Sequence, residues 1–280
     1  MLELKNIFKT FNAGTIDEKK VFEDLNLTLN DGDFVTIIGG NGAGKSTMLN
    51  VISGTITPDE GNVVIDGVDI TNLPEYKRAE YIGRVFQDPR MGTAADMWVE
   101  ENMSVAQSRG KKRGISWAIN KKDREYYREL LKQLDLGLED RLTSKVGLLS
   151  GGQRQAITLL MATMQNPKLL LLDEHTAALD PQTAAKVLDI TEDLVTKNNI
   201  TTLMVTHNMK DAIRLGNRLI MMYNGKIIYD ISGEEKKKLE VSDLMNLFAK
   251  ASNGDFANDR MLLNKKNPPY YATSHKDFLA

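Results

Sequence analysis

The feature that most constrains this sequence is a glycine-rich segment that directly follows a short apolar run. Residues 34–38 are apolar except for one threonine, and residues 48–52 are again mostly apolar. Between them stand Gly39, Gly40, Asn41, Gly42, Ala43, Gly44, Lys45, Ser46 and Thr47. This order predicts a buried strand, a tight turn and the start of a helix. Glycines let successive backbone N–H groups turn inward around phosphate oxygens, and the helix N-terminus adds the positive end of its dipole. The nine residues are therefore predicted to form a phosphate-binding loop.

The end of this segment carries the side chains that such a loop needs. The prediction rests on the spacing of Gly39, four further residues, and then Gly44, Lys45 and Ser46. Lys45 is expected to reach the terminal phosphates of a nucleotide, and Ser46 is expected to hold Mg²⁺ through its hydroxyl. The alternative is a glycine-rich turn that binds no ligand.

Length and composition set the class of protein. The chain has 280 residues, enough to bury a full hydrophobic core in one large domain or in two unequal ones. Its 36 Lys and Arg nearly balance its 38 Asp and Glu, and the net charge of −2 gives no overall basic surface for nucleic acid. The absence of cysteine excludes disulfides and thiolate metal sites, which fits a reducing compartment.

The sequence also lacks the signals that would place it in or across a membrane. No stretch approaches the roughly 18 consecutive apolar residues of a membrane-spanning helix. The N-terminus lacks the basic and apolar regions of a signal peptide. We therefore expect a soluble protein that stays inside the cell, with any membrane role supplied through a partner.

Two segments near the N-terminus alternate apolar and polar residues. Residues 2–8 and 21–29 read as antiparallel strands joined by a turn at residues 12–14. Phe11 stands just before the turn, where its ring could lie against the adenine of a nucleotide, because base stacking needs only an exposed aromatic face. The alternative is an edge-strand ring that packs on its own sheet.

Helix signals replace strand signals between about residues 90 and 166. They are clearest over residues 100–107 and 123–134, and the basic segment between them, 109–122, predicts a solvated and mobile connection. A second small-residue motif then precedes a long apolar helix pattern, and its residues are Ser150, Gly151, Gly152 and Gln153. Serine and two glycines at a helix N-terminus predict a second anion-binding cradle.

Three apolar runs end in residues suited to metal binding and acid–base chemistry. One ends at Gln87, the second at Asp173 and Glu174, and the third at His207. Open α/β sheets bind ligands at the carboxyl ends of their strands, so these side chains are expected at one sheet edge. Asp173 can hold Mg²⁺ directly or through water, and Glu174 can orient or deprotonate a water beside the terminal phosphate. Gln87 can offer its amide oxygen to the metal, although that signal is weak by itself. His207 can donate to the γ-phosphate, the alternative being a purely structural histidine.

Together these stretches resemble the nucleotide-binding subunit of an ABC transporter over residues 2–231. The motifs stand in the family's order, with Walker A at residues 39–47, the Q-loop glutamine at Gln87, the signature at 149–153, Walker B at 169–173 followed by Glu174, the D-loop at 177–180 and the switch histidine at His207. The resemblance implies an ATPase that uses ATP and Mg²⁺. It implies Lys45, Gln87, Glu174 and His207 as catalytic residues and Ser46, Gln87 and Asp173 as metal ligands.

Three positions depart from the family's pattern. Phe11 falls at the adenine-stacking position, where tyrosine is commoner. His175 stands where proline usually follows the glutamate, and Ala177 replaces the usual serine of the D-loop. The last two departures bear on the rigidity of that turn and on one expected hydrogen bond between subunits, and neither removes a group needed for chemistry.

The resemblance implies an α/β fold, a P-loop NTPase core with an antiparallel β flank and an inserted α-helical subdomain. Residues 1–89 and 167–231 are expected to form the core, and residues 90–166 the helical subdomain with the signature. Residues 232–280 are expected to form a C-terminal tail with a short amphipathic helix at 242–250. Beyond that helix the tail reads as extended and packed against the core.

The function implied is an ATPase subunit that powers a membrane transporter from the cytoplasmic face of the membrane. Import of a small solute such as an amino acid is favoured, and an exporter is the alternative. ABC-type ATPases of DNA repair or translation are disfavoured, because the chain has no long coiled-coil insertion, no zinc cysteines and only one cassette. The partners implied are transmembrane permease subunits and an extracytoplasmic solute-binding protein, with no nucleic acid.

Two contact surfaces follow from this interpretation. One chain offers two anion cradles but one set of catalytic groups, so a head-to-tail dimer is expected, in which the signature of one copy caps the nucleotide of the other. Residues 88–103 are expected to grip a short helix of the permease, because Met91, Met97 and Trp98 are large apolar residues in a stretch with few helix signals. The alternative is that Trp98 and Met103 fill the core of the helical subdomain.

Overall fold

The structure, a computed structural model of the chain, describes residues 1–110 and 119–251. In chain order its elements are β1 (Leu2–Phe11), β2 (Lys19–Leu29), β3 (Phe34–Gly39), α1 (Lys45–Ser53), β4 (Glu60–Ile65), β5 (Val68–Asp69), α2 (Glu75–Arg78), β6 (Ile82–Val85), α3 (Val99–Gln107), α4 (Lys121–Lys132), a 3₁₀ turn (Val146–Leu148), α5 (Gly151–Thr163), β7 (Leu169–Asp173), α6 (Pro181–Lys197), β8 (Thr202–Val205), α7 (Met209–Arg214), β9 (Arg218–Tyr223), β10 (Lys226–Ser232), α8 (Gly233–Lys237) and α9 (Val241–Ala251).

The first sheet is antiparallel and has the strand order β2-β1-β4-β5. The register of its first pair places Leu4 opposite Leu27, so the apolar residues of both alternating segments share one face. β1 continues three residues beyond the predicted segment, through several register shifts, and ends at Phe11 opposite Lys19. The alternation of apolar and polar residues predicted which face of β1 is buried, but it did not predict the irregular end of the strand.

The second sheet has the strand order β10-β9-β3-β8-β7-β6. Every neighbouring pair from β9 to β6 is parallel, and only the edge strand β10 runs antiparallel to its neighbour. β3, β8 and the first four residues of β7 are buried along their whole length, as the continuous apolar runs predict for parallel strands covered on both faces. β3 lies in the interior of this sheet, and β6 lies at one edge.

Two large hydrophobic clusters cover the two faces of the parallel sheet. One fills the space between the sheets and includes the buried face of α1. The other joins the opposite face to the helical segments and contains Met103, Tyr127 and Leu131, each fully buried. Burial of one such leucine contributes about 1.5–3 kcal/mol. The helical segments are therefore tied to the sheet through a common apolar layer.

The predicted α/β class with an antiparallel flank and inserted helices is confirmed. The predicted helices at 100–107, 123–134 and 242–250 correspond to α3, α4 and α9. α9 packs on the sheet through Leu244 and Phe248. The predicted mobile connection falls partly on residues 111–118, and the predicted extended tail on 252–280, both outside the described residues.

The apolar side chains near residue 100 were predicted either to form a contact surface for a permease or to fill the core of the helical subdomain, and the structure contains both kinds. Met103 is fully buried in the helical cluster, whereas Trp98 is 41% exposed and Met91 is 66% exposed. None of the helices in residues 1–110 and 119–251 combines the length and apolar character needed to cross a bilayer.

Candidate functional site

The site lies at the carboxyl edge of the parallel sheet. β3 ends at Gly39, β7 ends at Asp173 with Glu174 next, and β8 ends two residues before His207. Because β3, β8 and β7 are adjacent and parallel, their carboxyl ends lie side by side. Gln87 follows the next strand, β6, at the edge of the same sheet. The predicted convergence of these residues at one edge is what the topology produces.

The glycine loop, residues 39–44, is shaped by backbone conformations and close contacts that other residues do not allow. Gly42 and Gly44 have φ of 80° and 100°, in the region that favours glycine. A Cβ on Gly44 would lie 2.8 Å from Cε1 of Phe22, and one on Gly39 would lie 2.5 Å from the carbonyl oxygen of Met222. Packing against β2 and β9 therefore leaves no room for a side chain at Gly39 or Gly44. A Cβ on Gly42 would meet only Nζ of Lys19, at 3.8 Å.

Lys45 begins α1 and folds over this loop. Its side chain is buried, and Nζ donates to the carbonyl oxygens of Gly39 at 2.6 Å and Gly40 at 3.1 Å. These bonds hold the ammonium at the N-terminal end of the helix, where the positive helix end also lies. The loop thus concentrates positive potential at one point.

A cavity of about 170 Å³ opens in front of the loop. Its lining comprises Lys19, Val21, Asn41, Gly42, Ala43, Gly44, Lys45, Ser46, Thr47, Glu174 and His207. Most of these residues were predicted from the sequence, but Lys19 and Val21 were not. They reach the cavity because β2 runs past the loop, a long-range placement that no local pattern signals. Within residues 1–110 and 119–251 the ammonium of Lys19 makes no ion pair or hydrogen bond, so this charge faces the cavity uncommitted.

The side chains of Glu174 and His207 both line this cavity and are in direct contact. Oε1 of Glu174 lies 2.5 Å from Nε2 of His207. Glu174 has φ of 47°, a conformation unfavourable for a residue with a side chain, and its backbone N–H donates to the carbonyl of Val205 at 3.0 Å. Such local strain is typical of residues whose position serves a function. The pair places a carboxylate and an imidazole beside the phosphate loop.

Asp173 lies deeper, at the end of β7. Burial raises the pKa of its carboxyl group above the ordinary value, and the guanidinium of Arg84 opposes that shift. Nη2 of Arg84 stands 3.7 Å from Oδ2 of Asp173, close enough for an ion pair but too long for a hydrogen bond. Sequence reasoning missed Arg84, although an arginine inside an apolar strand is a usable signal, because a buried charge requires a partner.

Gln87 and Asp173 border a second, wider cleft. It measures about 720 Å³ and is also lined by Arg84, Met91 and Ala178. Gln87 is exposed, and its side-chain amide makes no hydrogen bond within the described residues. The cleft connects the end of β6 with the segment that was predicted to contact a partner.

Ser150 and Gln153 form a reciprocal cap at the start of α5. Oγ of Ser150 accepts from the N–H of Gln153 at 3.3 Å, and Oε1 of Gln153 accepts from the N–H of Ser150 at 3.2 Å. The hydroxyl proton of Ser150 remains available to a further acceptor. Gly151 is exposed and Gly152 buried, and a Cβ on Gly152 would stand 2.0 Å from Cγ2 of Thr183. The signature residues do not line either cavity described above.

His175, in the position where proline was expected, is a buried neutral side chain. Its Nε2 lies 3.0 Å from Oγ1 of Thr191, and that hydroxyl donates to the carbonyl of Val187. The ring must therefore supply the proton to Thr191 through Nε2. Burial lowers the pKa of His175 to about 4. The turn after Glu174 is thus anchored to α6 by a side-chain hydrogen bond. Ala177, beside it, is exposed.

Phe11 is half-buried at the end of β1. Its ring packs on the cluster between the two sheets and has Nζ of Lys9 at 5.7 Å from its centroid. The ring does not belong to the lining of the 170 Å³ cavity. Both the stacking role and the alternative of a ring packed on its own sheet are compatible with this position.

The donor set suits a magnesium ion held together with phosphate. Ser46, Asp173 and Gln87 offer a hydroxyl, a carboxylate and an amide oxygen, which are the hard oxygen ligands that Mg²⁺ prefers. Among the described residues no cluster of three or more His, Asp or Glu side chains could hold a metal by itself. A metal here would therefore take further ligands from phosphate oxygens and water, as Mg²⁺ does in phosphoryl-transfer sites.

Known proteins resemble this chain over most of its length. The family model described as ABC transporter matches residues 22–177. The chain is 46% identical over 248 residues to a tyrosine transport ATP-binding protein of Clostridioides difficile, covering 89% of this chain and 98% of the relative. It is 35% identical to a phosphonates import ATP-binding protein of Treponema denticola, covering 82% and 89%.

Solved structures share the fold. A dimeric ATP-binding cassette in a post-hydrolysis state, bound to ADP and Pi, is 32% identical and aligns with a TM-score of 0.70 over 83% of this chain and 98% of that one. An ATP-binding cassette of an ABC transporter in its ADP conformation is 30% identical and aligns with a TM-score of 0.73 over 89% and 98%.

Proposed function

The chain belongs to the ABC transporter family of ATPases, and from that premise we propose that it powers the import of an aromatic amino acid such as tyrosine. The support for this substrate class is the name of the Clostridioides difficile relative together with its near-complete overlap. Substrate choice would lie in a permease and a solute-binding protein, which this chain would serve from the cytoplasmic face of the membrane.

The observation that carries the ATPase chemistry is the Glu174–His207 pair beside the phosphate loop. The loop amides and Lys45 would hold the β- and γ-phosphates. Glu174 would accept a proton from the attacking water, and His207 would donate a hydrogen bond to the γ-phosphate. The short contact between their side chains would keep the carboxylate oriented before the water arrives.

A magnesium ion would be held by Ser46 and Asp173, with Gln87 contributing its amide oxygen. When bound, Mg²⁺ neutralises charge on the phosphates and helps to orient them. The residues of this chain would keep these ligands at the carboxyl edge of the sheet. Phe11 would stack on the adenine ring at the outer end of the site.

A second copy of the chain would complete the site. The hydroxyl of Ser150 and the backbone N–H of Gly152 would cap the γ-phosphate held by the loop of the other copy, giving two equivalent sites. Support comes from the free hydroxyl proton of Ser150 and from the separation of the signature from the cavity of its own chain. Loss of the γ-phosphate would remove this bridge and let the copies separate.

A permease would dock where the cleft beside Gln87 meets exposed apolar side chains. Met91 and Trp98 are the large apolar residues of the predicted contact segment, residues 88–103, whose side chains are exposed. We divide the chain accordingly into a core at residues 1–89 and 167–231, a helical subdomain at 90–166 and a tail from 232. An extracytoplasmic solute-binding protein belongs to the same proposed system.

The chemistry is tested with Glu174→Gln, which preserves shape but cannot accept a proton. Hydrolysis is expected to fall by about 10²–10³, while ATP affinity stays close to that of the wild type. With ATP and Mg²⁺ the variant should sediment as a dimer, and with ADP as a monomer. Adding Ser150→Arg should abolish the dimer and leave ATP binding by the single chain intact. Near-normal turnover of Glu174→Gln would refute its assignment as the base.

The substrate is tested separately by reconstituting the chain with its adjacently encoded permease and binding protein in liposomes. ATP-dependent uptake of tyrosine should exceed that of phosphonate or a sugar. Active transport of another solute class would refute the aromatic amino acid while leaving the ATPase assignment in place.

A further inference from the structure

Arg84 stands directly behind the proposed magnesium ligands, and we propose that it is the resident counter-ion of Asp173, a positioning residue that competes with Mg²⁺ for this carboxylate. The inference rests on the magnesium site of the proposed function. It assigns a role to a buried arginine that belongs to none of the motifs found in the sequence.

The guanidinium is fixed by several partners. Nη2 donates to Oδ1 of Asn50 at 2.7 Å, and Nη1 donates to Oγ of Ser53 at 2.9 Å. The ring of Phe86 covers one face, with its centroid 4.7 Å from the central carbon. Only 12% of the Arg84 side chain and 18% of the Asp173 side chain are exposed. The charge therefore has one defined place and little solvent to screen it.

That place is the junction of the three elements that carry the proposed metal ligands. Asn50 follows Ser46 by four residues on α1, so the two side chains lie on the same face of that helix. Gln87 follows Arg84 by three residues at the end of β6, and Asp173 ends the neighbouring strand β7. Arg84 thus connects the metal-binding face of α1, β7 and the approach to Gln87.

Arg84 makes an ion pair with Asp173 without a hydrogen bond between them. Its Nε is buried and has no hydrogen-bond partner among the described residues. Because one of its donors has no hydrogen-bond partner and little solvent reaches it, the guanidinium interacts strongly with the nearest carboxylate. The Asp173 carboxylate in turn has little solvent to screen this interaction, because only 18% of its side chain is exposed.

Two cations cannot share this carboxylate without repulsion. A metal that engages Asp173, directly or through water, must do so within the field of a fixed positive charge. Arg84 is therefore expected to weaken metal affinity while its ion pair holds the Asp173 carboxylate in place. Removing the charge should tighten metal binding and slow hydrolysis, since the freed carboxylate loses its fixed orientation. A side chain with only a packing role would not tighten metal binding when it is removed.

The test measures Mn²⁺ binding by electron paramagnetic resonance to the full chain carrying Glu174→Gln and saturated with ATP. Arg84→Met and Arg84→Gln should each lower the Mn²⁺ dissociation constant about tenfold, whereas Arg84→Lys, which keeps the charge, should stay within about threefold of the parent. Arg218→Met is the matched control, because Arg218 also joins strands through ion pairs but lies near the opposite end of the sheet. It should lower the melting temperature without changing Mn²⁺ affinity.

Weaker or unchanged Mn²⁺ binding in both Arg84→Met and Arg84→Gln would overturn the counter-ion role. If Arg84→Met does not fold, Arg84→Gln, which retains a donor for Asn50, decides the comparison with Arg84→Lys. A parent protein whose Mn²⁺ affinity is unaffected by Asp173→Asn would instead refute the magnesium site itself. The two failures are therefore distinguishable.

Discussion

The two glycine-containing loops of this chain, residues 39–47 and residues 150–153, are built in different ways. The first requires two positive-φ glycines, packs against β2 and β9 too closely for a side chain, and holds a buried lysine over its carbonyls. The second is an ordinary helix start, in which the side chains of Ser150 and Gln153 each accept a hydrogen bond from the other's backbone N–H. The first loop forms a cavity within its own chain, and the second does not border either of the cavities described above.

If the proposed function holds, the first loop binds phosphate within its own chain through its backbone shape, whereas the second binds phosphate only when a second copy faces it. Changes in the phosphate loop should therefore be detected in a single chain, as lost nucleotide binding. Changes in the signature should leave that binding intact and affect only the assembled form. The following predictions separate the two cases.

The largest effect is expected from Gly44→Ala. The methyl group would meet Phe22 at 2.8 Å in a backbone conformation with φ of 100°, so the loop must change shape. ATP affinity, measured by calorimetry on the isolated chain, should fall about 100-fold or more. Gly151→Ala is the matched control, because its methyl group would meet only the flexible end of Leu179 at 3.3 Å. Equal ATP affinity in both variants would remove the distinction between the loops.

A smaller effect, on stability, is expected from Gly152→Ala. Its methyl group would overlap Cγ2 of Thr183 at 2.0 Å, which should lower the free energy of unfolding by about 1–3 kcal/mol. Adding Thr183→Ser removes the clashing methyl and should restore the melting temperature. ATP binding by the single chain should stay unchanged in both variants. A double variant that regains stability but not ATP-driven dimerisation would assign Gly152 a contact with the partner's nucleotide as well.

Ser150→Ala should remove the cap of α5 and nothing else within one chain. The loss of a serine cap lowers the free energy of unfolding by about 1 kcal/mol, which denaturant titration can resolve. Single-chain ATP affinity should equal that of the wild type, while dimerisation of the Glu174→Gln background should weaken. Reduced ATP affinity of the monomer would show that the signature already contributes within its own chain.

The smallest effect is expected from Lys19→Ala. Its ammonium borders the phosphate cavity without a partner in the described part of the chain, so it should contribute a screened attraction to the phosphates. ATP affinity should fall about three- to fivefold at low salt and less at high salt, with AMP almost unaffected. Lys20→Ala is the neighbouring control, since Lys20 pairs with Glu23 at 3.8 Å. Identical behaviour of the two lysine variants would contradict a contribution from Lys19.

The sequence predicted the positions of side chains that follow directly from a strand and its end. It did not predict positions that depend on packing between distant parts of the chain. Asp173, Glu174 and His207 each end a continuous apolar run, so parallel pairing was enough to bring them to one edge. Lys19 reaches the cavity only because β2 crosses the loop, and the need for glycine at 152 comes from Thr183 in another helix. Neither contact can be predicted from the residues that neighbour Lys19 or Gly152 in the sequence.

The same limit explains the division between Trp98 and Met103. Both are large apolar residues of one short segment, and composition gave no reason to separate them. The helix α3 begins between them, and its register turns Met103 into the helical cluster while Trp98 stays at the exposed N-terminal end. The orientation of α3 in the folded protein therefore leaves Trp98, and not Met103, accessible to a partner.

The order of strands in the parallel sheet also sets how stiffly each part of the site is held. β3, which supports the phosphate loop, is hydrogen-bonded to β8 on one side and β9 on the other. β6, which supports Gln87, has only four residues, and its one partner strand in the described part of the chain is β7. Displacing β6 by a small distance disturbs one ladder, whereas displacing β3 disturbs two. A force applied at the cleft beside Gln87 would therefore displace the edge strand β6 more easily than β3. A nucleotide bound at the loop after β3 would stay in place.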